Sequence, residues 1–413
     1  MNKLIQWVEA NLLPPFTKFT NSRPVSSLMI GFRFAFPLIL AGAFLQIIAN
    51  LRFAVEELET VGLDVLSNLS FGLMGLAFAL GIAMAYSEAL EIDPKGASVI
   101  TMSVFFILVR PELVEGVLQF PETAFGASNL LVALLAGFGV PGIIYFFTKR
   151  GLVIKAEGLP PFIRNWFMPL IPGIVAILLA WLVSYPLGVD VPKILSGLSK
   201  PLYGIMDSYL GILVIGLLMT LTFSTGIHPS ATVGALVPLW FAALGENMEL
   251  VNAGKDPAHL MNFATVLGFI TLGGQGATFM LNIFMLRSKS TTIKKLGRTT
   301  IWPILFGINE PLIYGLPIAF NPILIIPFII NGGIINGSLT YLVMKLGLVR
   351  IPWNIMGVIP SPPGVSAFLS TQDWRAPVFV LFLLVINALV YYPFFKAFEN
   401  QTIEKETEKE AAQ

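Results

Sequence analysis

Long apolar runs separated by short polar breaks dominate the chain. The clearest cover about 28–50, 66–87, 96–109, 128–148 and 167–187, then 209–225, 231–244, 260–286 and 377–398. Most approach the roughly 20 residues that a helix needs to cross a bilayer. The third and seventh are short, so they are tilted, longer than their apolar run, or re-entrant. Between Thr299 and Trp374 the chain stays apolar but is broken by Pro303, Pro311, Pro317, Pro322, Pro327, Pro352, Pro360, Pro362 and Pro363, and by Gly332-Gly333. Irregular backbone at membrane depth is tolerated only when it is buried in protein or lines a cavity. In transporters, broken helices gather at the substrate site. The functional half is therefore placed at about 209–374. The simplest division is an N-terminal scaffold half with five spans, 1–208, and a C-terminal transport half, 209–400. A polar tail, 401–413, follows.

Composition narrows the class. Of 413 residues 55% are hydrophobic and only 12% are charged, against about 25% charged in ordinary soluble domains. A soluble enzyme, a nucleic-acid binder and a disulfide scaffold are excluded, and an all-α polytopic membrane protein is expected. The formal net charge of +1 gives no global field to steer an anionic partner. There is no cysteine, hence no disulfide, thiolate metal site or cysteine nucleophile. The first twenty residues lack the apolar core and cleavage site of a signal peptide. Leu4, Trp7, Val8 and Leu12 fall at helical spacing before Pro14-Pro15, which fits either an interfacial helix or a plain lead-in.

Loop charge sets an expected topology. Lys149, Arg150, Lys155 and Arg164 outweigh Glu157 in one loop, and Arg287, Lys289, Lys294, Lys295 and Arg298 meet no acid in another. Both belong in the cytoplasm by the positive-inside rule. Parity then puts the segments 56–64 and 110–122 outside, and both chain termini inside.

An ionisable side chain within a span costs about 2.5–3.5 kcal/mol on insertion scales and is a functional candidate by default. His228, in FSTGIHPSATVG, and Glu310, in LFGINEPLIYGLP, each sit between a glycine and a proline at a break between apolar runs. His228 is either a ligand-facing group or a break histidine bonded to a nearby carbonyl. Glu310 is either a site carboxylate or one satisfied by its own turn, and both can hold together. Arg33 lies inside the first span, where snorkelling or pairing with an acid also accounts for it. His259 is expected at the surface. Asn309, Gln275 and Asn282 are neutral candidates for contact with a ligand, with helix-to-helix amide bonding as the alternative. Trp374 is either an interfacial tryptophan or a platform for a sugar ring. There is no Walker, HExxH or GxSxG sequence, so neither ATP hydrolysis nor a metal or other cofactor is expected. A carboxylate and a histidine at membrane breaks suit a hydroxyl-rich ligand, the carboxylate accepting from a hydroxyl and serving as its base.

The segment LFGINEPLIYGLPIAFNPILIIPF resembles the signature of the membrane-spanning enzyme IIC of the bacterial sugar phosphotransferase system, lactose/cellobiose/diacetylchitobiose branch. IKAEGLPPFIRNWFMPLIPG, GIHP, GGQGAT and QDWRAP resemble that branch too, in order along nearly the whole chain. Pro229-Ser230 after the histidine and Gln275 depart from its pattern. The resemblance implies a homodimer in the bacterial plasma membrane, with about ten transmembrane helices, two re-entrant hairpins and an elevator-like transport half. It implies import of a β-linked disaccharide coupled to 6-phosphorylation. Glu310 and His228 would meet the reacting hydroxyl, with Asn309 and Trp374 beside them. The phosphoryl donor would be a phosphocysteine on a B component, which a cysteine-free stretch must borrow from a partner. The two basic loops are plausible docking surfaces. A proton-coupled sugar symporter, with Glu310 as the proton site, is the alternative.

Overall fold

Glycine and proline interrupt the apolar runs, but the backbone breaks at only some of them: Pro303 lies inside the helix Thr291–Leu305, and Pro327 and Gly332-Gly333 lie within the continuous helical stretch Ile325–Lys345. The computed structural model describes residues 22–50, 69–121, 123–154, 166–226, 228–316 and 323–411, with a few isolated positions besides. The expected interfacial helix at Leu4–Leu12, the segment 56–64, and Lys155, Glu157 and Arg164 lie outside the described residues. The chain forms two compact units, one from Lys18–Leu202 with Ala235–Glu246, the other from Tyr203–Gly234 with Asn247–Gln413.

The first unit is a group of apolar helices: α1 (Arg23–Asn50), α2 (Met74–Ala89), α3 (Pro94–Leu108), α4 (Leu130–Lys149) and α5 (Leu170–Ser184). Helices in lipid gain little from burying apolar surface against one another, so small residues that let backbones touch decide the packing. A Cβ on Gly81 of α2 would lie 2.6 Å from the Gly31 carbonyl oxygen of α1, and one on Gly137 of α4 would lie 2.9 Å from Ile82. Arg33 projects from α1 with its side chain exposed. Between α3 and α4 an exposed hairpin pairs β1 (Glu112–Val114) with β2 (Val117–Gln119). Glu115 and Gly116 both take positive φ there, as a two-residue hairpin turn of matching twist requires.

Helix α6 (Val191–Met206) runs into α7 (Tyr209–Ser224) across a 77° bend. Ser208 caps α7 by accepting from the Gly211 N–H at 3.0 Å. Asp207, in the bend, holds His259 at 3.1 Å, with side chains only 16% and 15% exposed. His259 is thus not the surface residue expected. Asn247 fixes its loop, accepting from the Ala258 and His259 N–H groups and donating to the His259 and Pro352 carbonyls.

The second unit continues with α8 (Ser230–Val233), the shared α9 (Val237–Asn252), and α10 (Phe263–Thr265), which winds on as a π turn over Val266–Ile270. Then come α11 (Phe279–Leu286), α12 (Thr291–Leu305) and α13 (Glu310–Gly315). Helix α14 (Ile325–Ile329) passes through a π segment, Ile330–Ile335, into α15 (Asn336–Lys345). Last come α16 (Val365–Thr371) and the long α17 (Arg375–Ala411). Phe223, Leu281, Ile304, Leu312, Phe328 and Tyr391 belong to one buried cluster at the centre of this unit.

Two expectations change. The run over 260–286 is not one span, because residues 271–278 form a glycine loop between α10 and α11. The basic segment 287–298 is mostly the first half of α12, with Lys294, Lys295 and Arg298 exposed on it. Helix α17 itself runs on through the polar tail to Ala411. Among the described residues, three helices are long and apolar enough to cross a membrane: Ala127–Lys149, Ile325–Lys345 and Arg375–Glu408. The bent pair of α6 and α7 passes the same test together.

Candidate functional site

Two chain breaks 82 residues apart in sequence supply the central pair. After α7 the chain turns at Gly226, whose φ is +79°, and presents His228 just before α8. After α12 it turns at Gly307, again at φ +79°, and the Asn309 carbonyl accepts from the Leu312 and Ile313 N–H groups to begin α13. Glu310 is the first residue of that helix. His228 Nε2 meets Glu310 Oε1 at 3.2 Å, with the two side chains 50% and 41% exposed. Phe223 presents its ring to the imidazole edge-on, 5.4 Å between centroids, and Tyr314 Oη donates to the Gly226 carbonyl at 3.4 Å.

The tautomer follows from the hydrogen bonds. The Ser230 N–H donates to His228 Nδ1 at 3.2 Å, so Nδ1 carries the lone pair and Nε2–H donates to Glu310. Glu310 Oε2 is closed off and has no hydrogen-bond partner among the described residues. A carboxylate oxygen left without a donor is costly unless another group completes it.

The loop over 271–278 lies against the same segment from behind. Gly273, Gly274 and Gly276 take φ of 72°, 96° and 74°, and Ala277 takes 55°. Asn309 Nδ2 donates to the Gln275 carbonyl at 2.7 Å and to Thr278 Oγ1 at 2.8 Å. Tyr391 of α17, fully buried, donates its hydroxyl to the Gly276 carbonyl at 2.6 Å. Neither Thr278 nor Tyr391 stands out in the sequence, since a single hydroxyl in an apolar run costs little. Ser230 had a weak signal, as a polar residue two places after His228.

The six residues singled out from sequence therefore do different things. His228 and Glu310 come together. Asn309 adjoins them, but its side chain is buried and holds the loop. Gln275 offers its backbone carbonyl to Asn309 and is half-buried. Asn282 is buried between α11 and α12, donating to Thr300 Oγ1 at 2.6 Å, and is helix-to-helix glue. Trp374 is apart from the pair. It is 71% exposed and lines an open cleft with Asp256, Arg350, Asp373 and Arg375. From there to Tyr391, which touches the glycine loop, is about 25 Å along α17 at 1.5 Å per residue. Beside Trp374, burial opposes charge on Asp373, yet the Arg375 guanidinium and the Arg375 and Arg350 N–H groups hold its carboxyl below the usual range.

Comparison with known proteins decides what kind of molecule carries this pair. The profile of the family described as "Phosphotransferase system, EIIC" matches residues 29–332. The chain belongs to that EIIC family. This EIIC chain is 31% identical to the "Putative permease IIC component YwbA" of Bacillus subtilis (strain 168), over 100% of the chain and 99% of the relative. It is 30% identical to the "Lichenan permease IIC component" of the same organism, over 100% and 97%. The crystal structure of the transporter ChbC, the IIC component of an N,N'-diacetylchitobiose-specific phosphotransferase system, superposes with a TM-score of 0.84. The identity there is 26%, over 97% of this EIIC chain and 99% of ChbC. The family is one of integral membrane proteins of bacteria, which agrees with the sparse charge and the apolar helices.

Proposed function

We propose that this EIIC protein imports a β-linked disaccharide and presents its 6-hydroxyl to Glu310 and His228 for phosphoryl transfer. The observation that carries the reading is the pairing of His228 with Glu310 across two membrane breaks, with the side chains 50% and 41% exposed. An exposed carboxylate held by a histidine can accept from a sugar hydroxyl. In the transfer, the hydroxyl oxygen bonds to phosphorus, the phosphorus–sulfur bond of a phosphocysteine breaks, and the hydroxyl proton passes to Glu310. His228 orients the carboxylate and offsets charge near the incoming phosphoryl group. Catalysis of this kind is mostly positioning and electrostatics.

The phosphocysteine belongs to a B component outside these 413 residues, which contain no cysteine. The exposed Lys294, Lys295 and Arg298 on α12 are its proposed cytoplasmic docking surface. Relatives named for lichenan and diacetylchitobiose favour a β-linked substrate. In this reading 1–208 is the scaffold and the contact of a homodimer, 209–400 is the transport half, and both termini are cytoplasmic. About ten transmembrane helices with two re-entrant hairpins complete the proposed architecture.

A panel of disaccharides is bound to purified protein and the products are analysed after adding the phosphorylated B component. Glu310→Gln is expected to lower sugar-phosphate formation by about 100-fold or more, the usual worth of a general base, with the thermal melt unchanged. Near-normal product from that variant overturns the role of Glu310. Uptake driven by a proton gradient without any phosphorylated partner overturns the whole reading.

A further inference from the structure

Three features of the His228 turn combine. Ser230 Oγ lies 2.8 Å from His228 Nδ1. The Ser230 backbone N–H aims at the same nitrogen from 3.2 Å. On the far side of the ring, Nε2 meets Glu310 Oε1. The result is a linear chain, Ser230–His228–Glu310, in which every link runs through the imidazole.

Polarity along that chain is fixed at one end. A backbone N–H can only donate, so Nδ1 accepts it and the imidazole must carry its proton on Nε2. The Ser230 hydroxyl then donates to the same lone pair. A histidine without these two donors is free to put its proton on Nδ1. Its Nε2 lone pair would then face a carboxylate oxygen, and two acceptors would repel.

We propose that Ser230 is a positioning residue for the transfer site. Its backbone N–H and hydroxyl together hold His228 in the Nε2–H form, which donates to Glu310 Oε1 and orients the carboxylate. The serine thereby acts on the carboxylate through the imidazole, without touching the sugar. Its neighbourhood supports a fixed geometry. The Pro229 carbonyl accepts from the Thr232 and Val233 N–H groups at 2.9 Å each, and Thr232 Oγ1 lies 3.3 Å from Thr222 Oγ1 of α7. The serine is thus anchored to the helix that precedes the turn. The assignment of roles at Glu310 rests on the proposed function, but the tautomer does not.

The chain has only two histidines, which makes the tautomer directly readable. Purified protein labelled with ¹⁵N-histidine is examined by NMR without sugar or partner, and a His259→Gln variant assigns the two rings. The expected result is His228 with its proton on Nε2. Ser230→Ala should shift the His228 ring nitrogens and leave those of His259 in place, while Ser230→Thr keeps the wild-type spectrum. In the phosphorylation assay Ser230→Ala should lose about fivefold in kcat, the worth of one ordinary hydrogen bond, with KM little changed, and Ser230→Thr should restore the rate. A wild-type His228 protonated on Nδ1 overturns the proposal. So does a Ser230→Ala protein whose His228 resonances match the wild type. A correct tautomer in a protein that forms no sugar phosphate overturns the proposed function and leaves the hold of Ser230 on the His228 tautomer standing.

Discussion

Asn309 bears on the site through its side-chain amide. Both hydrogens of its amide are spent on the glycine loop, one on the Gln275 carbonyl and one on Thr278 Oγ1. Glu310 follows directly, so the carboxylate is only as well placed as this clamp. Replacing Asn309 with alanine strands two buried acceptors, and each such loss costs about 1–3 kcal/mol. The expected outcome is a lower melting temperature in detergent together with weaker sugar phosphorylation. A variant that melts like the wild type but no longer binds sugar would instead put Asn309 in contact with the ligand. His228 and Glu310 were legible from sequence because a charge at a membrane break is expensive wherever it packs. The clamp made by Asn309 and the place of Trp374 were not legible, while Asn282 bonds helix to helix, one of the two roles its sequence context allows. An amide or an indole is cheap enough to be placed by neighbours that hydropathy does not encode, and only packing shows that Asn282 faces Thr300 while Trp374 sits far along α17.

At the scale of elements, the glycine loop and the π segment between α14 and α15 are built against each other. A Cβ on Gly332 would lie 2.5 Å from the Gly276 Cα, and one on Gly216 of α7 would lie 2.8 Å from the Gly333 carbonyl oxygen. Backbone meets backbone at both places, so no side chain can move aside. Gly332→Ala is therefore expected to destabilise by about 1–3 kcal/mol, the usual cost of overpacking. The melt in detergent tests this, and Gly204→Ala is the control, since its added methyl would meet nothing within 4 Å. The same contact explains why hydropathy marked 260–286 as a single helix. Glycine and alanine add apolar weight to the run, while their positive φ values break it. The apolar runs at 128–148 and 209–225, which lack such a loop, matched α4 and α7 to within about two residues, within the ordinary uncertainty of helix ends.

Over the whole chain, the polar end of α17 is strapped to the start of α12. Glu399, almost wholly buried, accepts from Ser288 Oγ at 2.6 Å and the Lys289 N–H at 2.8 Å, and pairs with Lys396 at 2.6 Å. Glu406 accepts from Ser290 Oγ at 2.9 Å and from the Thr291 and Thr292 N–H groups at 3.3 and 2.9 Å. Those donors are the free N–H groups of a helix start, where a carboxylate is favoured. Hydrogen bonds from Thr292 above all, with Ser290 and Thr291 adding, bring the Glu406 carboxyl from the ordinary 4.5 down to about 2. Because the folded value is the lower one, the strap's contribution is full above pH 4.5 and is lost as pH falls toward 2. The melting difference between wild type and Glu406→Gln should accordingly be largest at neutral pH and close in that window. A difference that persists unchanged to pH 2 would show that the carboxylate charge is not what holds the strap.

That strap makes the end of α17 a handle on the reacting segment. Helix α12 leads through Gly307 straight into Asn309 and Glu310, so what is fastened to its first turn moves with it. These 413 residues hold no thiol. A single cysteine introduced near Ala411 would therefore take a fluorescent or spin label cleanly, and the label would report whether the strap between α17 and α12 stays fastened.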